Sequence, residues 1–250
     1  MVSVDLAAVK AASRPELAAY AVAVGRNAQG LLHDAELLAE AGSTARAYSL
    51  AALAVEACGK AVELAALAVM PGKLRAQAPV GRMLEWHQLK QVGGLLLAEV
   101  GWSGGVAWLA RMPAEELARV LTALDEPADE ADRLKRRGLY VDMDRDRRIR
   151  EPSEITESEV DIQLGRARQA LAAASPLLAP EAQVRMANPP AEMAEFAQEL
   201  VKAISASGYS RTPKAAADVL LRVIGELRKD TPTGPPPMHS AGESHERPED

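Results

Sequence analysis

The stretch Ala45 to Met70, ARAYSLAALAVEACGKAVELAALAVM, is almost wholly Ala, Leu and Val, with few polar interruptions. At 3.6 residues per turn, Ser49, Glu56, Lys60 and Glu63 fall within one narrow stripe. The rest of the surface is apolar all round, which predicts a helix buried inside a bundle. Pro71 and Gly72 end it. A second helical stretch, Gly81 to Glu99, carries His87 and Lys90 three residues apart, hence neighbours on one face. A carboxylate and an ammonium are therefore set into an inner helix, and an imidazole and a second ammonium into the next. Burying such groups costs several kcal/mol unless they are paired. They form either a satisfied structural network or a site.

A chain of 250 residues, 48% of them hydrophobic, is long enough for one sizeable core. Aromatics are few, with Phe 1, Trp 3 and Tyr 4, and runs of β-branched residues in alternation are absent, so the fold is expected to be all-α. Cys58, the single cysteine, lies on the apolar helix and reads as a buried structural thiol. The N-terminus lacks the pattern of a signal peptide, and Glu56, Lys60 and Glu63 break the apolar run that a membrane span would need. A soluble, cytoplasmic protein with no membrane partner is the expectation. The formal charge of −6 argues against nucleic-acid binding over the whole surface but leaves room for a local basic patch.

Along the chain, an opening helix is expected over 14–41, with breaks near Gly25 and Gly30, Ser13 as its cap and Pro15 in its first turn. Gly42 to Thr44 is a turn, and the central helix returns antiparallel. Gly101 to Gly105 reads as a turn holding Trp102, and Pro113 to Glu116 as a further helix start. The texture then changes: Arg133 to Arg150 holds eight basic and three acidic residues, 8 − 3 = +5. Within it Gly138 to Asp142 interrupts the helical pattern and predicts an extended segment leaving the bundle. Thr156 followed by Glu159 is a capping box for a helix over about 157–175. Asn188 to Pro190 is a linker, ending a first domain at 1–187. Residues 188–230 read as a C-terminal α-hairpin, and 231–250, rich in proline, as a disordered tail.

Three pieces of this sequence together resemble the AbiV-type abortive infection proteins, bacterial antiphage factors of the HEPN superfamily. The first is the run from Asn27 to Lys60, ending Ala54-Val55-Glu56-Ala57-Cys58-Gly59-Lys60. It is similar to that family's Glu-Glu-x-Gly-Lys helix, with Ala57 in place of the second acid. The second is His87-x-x-Lys90. The third is Arg137-Gly138-Leu139-Tyr140-Val141-Asp142, followed by Pro152 and Thr156. The resemblance covers roughly residues 20 to 175. It implies a HEPN-like antiparallel helical bundle, usually dimeric, that acts in phage defence by shutting down growth or translation.

Many HEPN proteins cut RNA without a metal through an Arg-x(4–6)-His motif, and two strings here fit: Arg82 to His87 and Arg26 to His33. On a continuous helix Arg82 and His87 point about 140° apart, whereas Arg26 and His33 share a face but lie about 10 Å apart along the axis. Arg82 and His87 are preferred because they follow the Glu56/Lys60 helix in the family order. In a catalytic reading His87 exchanges protons with the ribose 2′-hydroxyl or the leaving 5′-oxygen, and Arg82 stabilises charge on the phosphoryl oxygens. Lys90 assists electrostatically, and Glu56 or Tyr140 orients the imidazole; Lys60, Arg137 and Asp142 complete the supporting polar cluster. No cofactor is implied. The expected partners are RNA, a phage or host protein, and a second copy of the chain. A non-catalytic module that captures a phage or host protein, and a plain scaffold with a structural charged interior, stay open beside the enzyme.

The remaining polar features have plainer readings. Glu56 and Lys60 form an i, i+4 pair in the favourable order. Asp142, Asp144 and Asp146 alternate like the start of a calcium loop, but Arg147 stands where glycine is required and Ser153 where glutamate is, so calcium is rejected. Arg145, Arg147, Arg148 and Arg150 read as a solvated run balanced by neighbouring acids.

Overall fold

The computed structural model describes residues 6–69, 87–102, 119–120, 123–140, 142–143, 147, 149–150 and 155–189. Within them the chain is all-α, as expected, apart from one two-residue strand pair. The helices are α1 (Leu6–Ala11), α2 (Arg14–Glu40), α3 (Thr44–Val69), α4 (His87–Trp102), α5 (Asp125–Leu139), α6 (Glu157–Ala174) and α7 (Pro180–Ala187). Strands β1 (Asp142–Met143) and β2 (Ile149–Arg150) lie between α5 and α6.

The all-round apolar stretch becomes α3, and it is the central element, packed against α2, α4, α5, α6 and α7. Alanine lets neighbouring backbones come close on every side: Ala47, Ala51, Ala52, Ala61 and Ala68 are all fully buried. Helix α2 lies antiparallel to α3 after a tight turn in which Gly42 takes φ +74°, a left-handed conformation that glycine adopts without strain. Leu17 and Val22 near the start of α2 cluster with Leu64 and Leu67 near the end of α3. Leu32 and Ala35 cluster with Ala47 to Val55, together with Leu95 of α4, Leu134 of α5 and Leu164 of α6.

Both predicted starts are built as the sequence implies. Ser13 caps α2 in a capping box with Glu16, and Pro15 sits in the first turn. Thr156 caps α6, its backbone N–H donating to Glu159 Oε2 at 2.7 Å while its hydroxyl oxygen accepts from the Glu159 N–H at 3.3 Å.

Four details differ from expectation. Helix α2 is unbroken; Gly25 is buried, and a methyl there would strike the Leu178 side chain, so that glycine serves close packing. Helix α4 runs on through Gly101 and Trp102. The cost of one helical glycine, about 1 kcal/mol, is outweighed by burial of Leu95 and Ala98 on the same helix. Gly138 lies inside the last turn of α5, and the chain turns extended only at Tyr140. Finally, α7 stands where the sequence signalled no element, burying Ala182 and Met186 against the Leu17 to Val24 face of α2 and the end of α3.

The extended segment itself is as predicted: Asp142 pairs with Arg150 and Met143 with Ile149 in an antiparallel ribbon. The expected C-terminal hairpin and tail, the helix start at Pro113, and Arg82 lie outside the described residues. Among the described residues no helix is long and apolar enough to cross a membrane.

Two glycines set how α4 meets α3. A methyl on Gly59 would collide with the Lys90 carbonyl oxygen, and one on Gly94 with the Val55 carbonyl oxygen. Both obstacles are backbone, so neither side-chain rotation nor repacking relieves them. Gly94→Ala should force the helices apart and lower stability by about 1–3 kcal/mol or more, read as the urea midpoint. An unchanged midpoint would show that the crossing is looser than the geometry implies.

Candidate functional site

Glu56 faces inward from the polar stripe of α3 and is only 7% exposed. One carboxylate oxygen meets Lys90 Nζ of α4 at 3.1 Å, and the other meets Lys135 Nζ of α5 at 2.8 Å. Lys135 reaches a second acid, Asp132, at 2.8 Å, and Asp132 also pairs with Arg136. Both lysine side chains and the Glu56 side chain are below a tenth exposed. The result is a buried network of alternating charge spanning three helices. Burial works against the Lys135 ammonium, but Glu56 and Asp132 outweigh it and raise its pKa above the ordinary value. Burial likewise pushes Asp132 up, and hydrogen bonds from Lys135 and Arg136 bring it below the usual range. Both groups are held charged.

The backbone is arranged to bring these ends together. Gly138 lies so close to α3 that a methyl would run into Ser49 Oγ and the Ala45 carbonyl oxygen. The Ser49 hydroxyl, fully buried, has one proton to share between the carbonyls of Ala45 at 2.9 Å and Lys135 at 3.0 Å. With Gly138 on Ala45 and Ser49 while Lys135 reaches Glu56, α5 runs antiparallel to α3. The glycines at 59, 94 and 138 thus allow the approach that the ion pairs need.

Sequence reasoning placed Glu56 and Lys90 in one cluster, and the structure brings them into contact. Lys135 and Asp132 were missed, although Asp132 and Lys135 at i, i+3 on a helix are a readable pair. Lys60 turns elsewhere: its ammonium lies 5.1 Å from the centroid of the Tyr20 ring of α2. The expected i, i+4 pairing of Glu56 with Lys60 gives way to pairs with Lys90 and Lys135, which reach the carboxylate from other helices. His87 opens α4, one turn before Lys90. Arg137 is half-buried on α5. Tyr140 is 63% exposed and leaves α5 beyond Gly138, on the side of Ala45 and Ser49. Glu56 is seven residues beyond Ser49, about 10 Å further along α3, so Tyr140 stands apart from the cluster. Asp142 is on the ribbon, paired through its backbone with Arg150. Arg26 and His33 are both exposed on α2.

Glu63, two turns beyond Glu56 on the same stripe, has a buried Oε2 with no hydrogen-bond partner among the described residues. Burial raises its pKa to about 8 against the pull of Lys90 and Lys60, with Glu56 adding to the rise. At neutral pH it keeps its proton. Burial similarly raises the Cys58 thiol to about 12, which suits the structural role expected of it. Among the described residues no cluster of His, Cys, Asp and Glu could hold a metal ion.

The positive run on α5 is largely answered by acids outside the window that defined it. Arg133 Nε donates to Glu130 at 2.8 Å, Arg136 pairs with Asp132, and Lys135 with Glu56 and Asp132. That half of the run is balanced by acids in space; the expectation for Arg145, Arg147, Arg148 and Arg150 concerned the other half.

A family model described as AbiV matches residues 16–172, well over half of the chain. The chain belongs to the AbiV family. No curated protein and no solved structure matches it. The match begins in the first turn of α2 and ends near the end of α6, so every charged residue of the buried network lies inside the AbiV region, and α7 lies beyond it. The fold accords with the HEPN-like helical bundle that the family resemblance implied.

Removing one partner from this network leaves buried charge without compensation. Glu56→Gln, which strands Lys90 and leaves Lys135 with Asp132, should cost about 3–5 kcal/mol in chemical denaturation, and a loss under 1 kcal/mol would mean that Lys90 reaches water. Glu63→Gln should act in the opposite direction. The folded chain holds the Glu63 proton up to about pH 8, whereas the unfolded chain releases it near 4.5. Wild-type stability therefore falls between these values through this group, and is flat above them. The variant should match wild type at acid pH and exceed it at alkaline pH by an amount on the order of a few kcal/mol, seen as diverging melting temperatures.

Proposed function

We propose that this protein is a bacterial antiphage abortive infection effector that stops growth or translation by cutting RNA without a metal, with Arg82 and His87 as its catalytic residues. AbiV membership points to an abortive-infection, HEPN-type function. The observation that carries the finer reading is the Glu56–Lys90 pair. It anchors the first turn of α4, which His87 opens one turn before Lys90, against α3. The competing string has no such support: Arg26 and His33 are exposed on α2, separated by about two turns.

In this mechanism His87 removes the proton from a ribose 2′-hydroxyl, and the oxygen attacks the adjacent phosphorus. The 5′-oxygen leaves and takes up a proton, so the products carry a 2′,3′-cyclic phosphate and a 5′-hydroxyl. Arg82 neutralises charge growing on the phosphoryl oxygens. Lys90, held by Glu56, positions the helix. A second copy of the chain contributes an equivalent site.

A non-catalytic reading has one observation in its favour. Leu139, Tyr140 and Ile149 are exposed at the end of α5 and on the ribbon, an apolar surface suited to holding a phage or host protein. Incubating purified protein with RNA in the presence of EDTA separates the two. Cleavage that persists with EDTA and falls roughly 10²-fold or more in His87→Ala, together with loss of growth toxicity, is the expected result. A folded His87→Ala variant with undiminished toxicity and cleavage would end the catalytic reading; absence of cleavage with stable capture of a phage or host protein would favour the other.

A further inference from the structure

Helices α2 to α6 are tied to one another by polar contacts as well as by burial. Glu56 links α3 to α4 and α5, and Arg168 of α6 meets Glu36 of α2 at 2.8 Å. Helix α7 is held differently. Among the described residues it makes no hydrogen bond or ion pair to another helix; Ala182 and Asn188 bond back to Ala179 and Val184 within the segment itself. Its hold on α2 and α3 is apolar: Ala182 and Met186 are buried, while Glu181, Gln183, Val184 and Arg185 are exposed. Eight residues are also too few to persist alone, since isolated helices under about 12 residues are marginal in water. The lead-in adds one further hold. Leu178 follows a single 3-10 turn, Ser175–Leu177, and lies over Gly25 of α2. The three nearest atoms that a methyl on Gly25 would meet all belong to Leu178. Gly25 is thus a notch that seats one side chain of the segment, and the notch belongs to α2.

We infer that α7 is a releasable strap, which leaves the bundle as one unit while α2 to α6 stay folded. No buried charge is stranded when it goes, because no charged group of α7 is paired with the bundle. Release unseats Leu178 from Gly25 and uncovers part of the Leu17 to Val24 face of α2 and the end of α3. The AbiV match ends at residue 172, before the strap, and the chain runs on from α7 into residues 190–250. A load on those residues therefore reaches α7 before it reaches any helix of the AbiV region. The strap is the joint through which engagement of the C-terminal residues changes the surface of the bundle, whether or not the protein cuts RNA.

Native-state amide hydrogen exchange on the full chain tests this residue by residue. The N–H groups of residues 184–188 should exchange through one shared opening, with protection about 10²-fold or more below that of the central turns of α3. Gly25→Leu places a branched side chain where Leu178 sits and leaves the sequence of the strap intact. It should speed exchange in α7 roughly tenfold more while α3 keeps its protection. Met186→Asp, which puts a charge on the buried face of α7, should do the same from the strap side. Protection in α7 equal to that of α3 overturns the inference, as does protection graded from residue to residue, which is fraying. So does a variant that lowers protection in α2, α3 and α7 alike, or one that leaves α7 unchanged. If one variant does not fold, the other decides; if neither folds, the bundle needs α7 and the inference is overturned.

Discussion

Each oxygen of the Glu56 carboxylate is answered by a lysine from a different helix, and the bundle depends on that division. Hydrophobic burial drives α2 to α6 together, but alanine surfaces are smooth and specify rotation and register poorly. A buried carboxylate is intolerant by contrast. If α4 rotated or slid by a residue, Lys90 would lose its partner in a low-dielectric interior, and if α5 did, Glu56 would lose Lys135, at a cost of several kcal/mol. The pairs with Lys90 and Lys135 add less net stability than their short distances suggest, because each ion is first taken out of water. Their contribution is discrimination: one packing satisfies the charges and its near neighbours do not.

That discrimination depends in turn on small residues. An ion pair across two helices needs axes close enough for the side chains to meet, and Gly59, Gly94 and Gly138 supply the approach at both crossings. The strings that carry the family resemblance thus amount largely to a single structural device. The glycine after Cys58 admits α4, the glycine after Arg137 admits α5, and Glu56 and Lys90 are the charges brought together.

Much of this was legible in the sequence. The all-round apolar texture of Ala45 to Met70 announced an inner helix, and the narrow stripe of Ser49, Glu56, Lys60 and Glu63 announced a polar seam within it. Caps at Ser13 and Thr156 were readable because capping is local chemistry, decided by residues three apart. What the sequence withheld is non-local. Nothing in Lys135 distinguishes it from Arg136 and Arg137 until α5 is laid against α3 and only one of them faces Glu56. Gly25 and Gly138 look like breaks when read along the chain, because a glycine that ends a helix and one that admits a close neighbour share a letter. Helix α7 failed to register because eight residues give too little periodicity to detect, and its stability comes from Ala182 and Met186 docking on a surface made by other helices.

The same logic bears on how charge should be read for partners. A window from Arg133 to Arg150 totals +5, which invites an anionic ligand, yet the window was cut by sequence position. Glu130 and Asp132 stand just before it and Glu56 lies 77 residues before it, and in space all three belong to it. Once those acids are included, the cations of α5 in these pairs are committed to holding helices, and they exert little field at a distance. Any attraction of the bundle for a phosphate backbone must therefore come from cations that no acid claims. The proposed ribonuclease chemistry would therefore need a compact site of such unclaimed cations rather than a broad electrostatic platform.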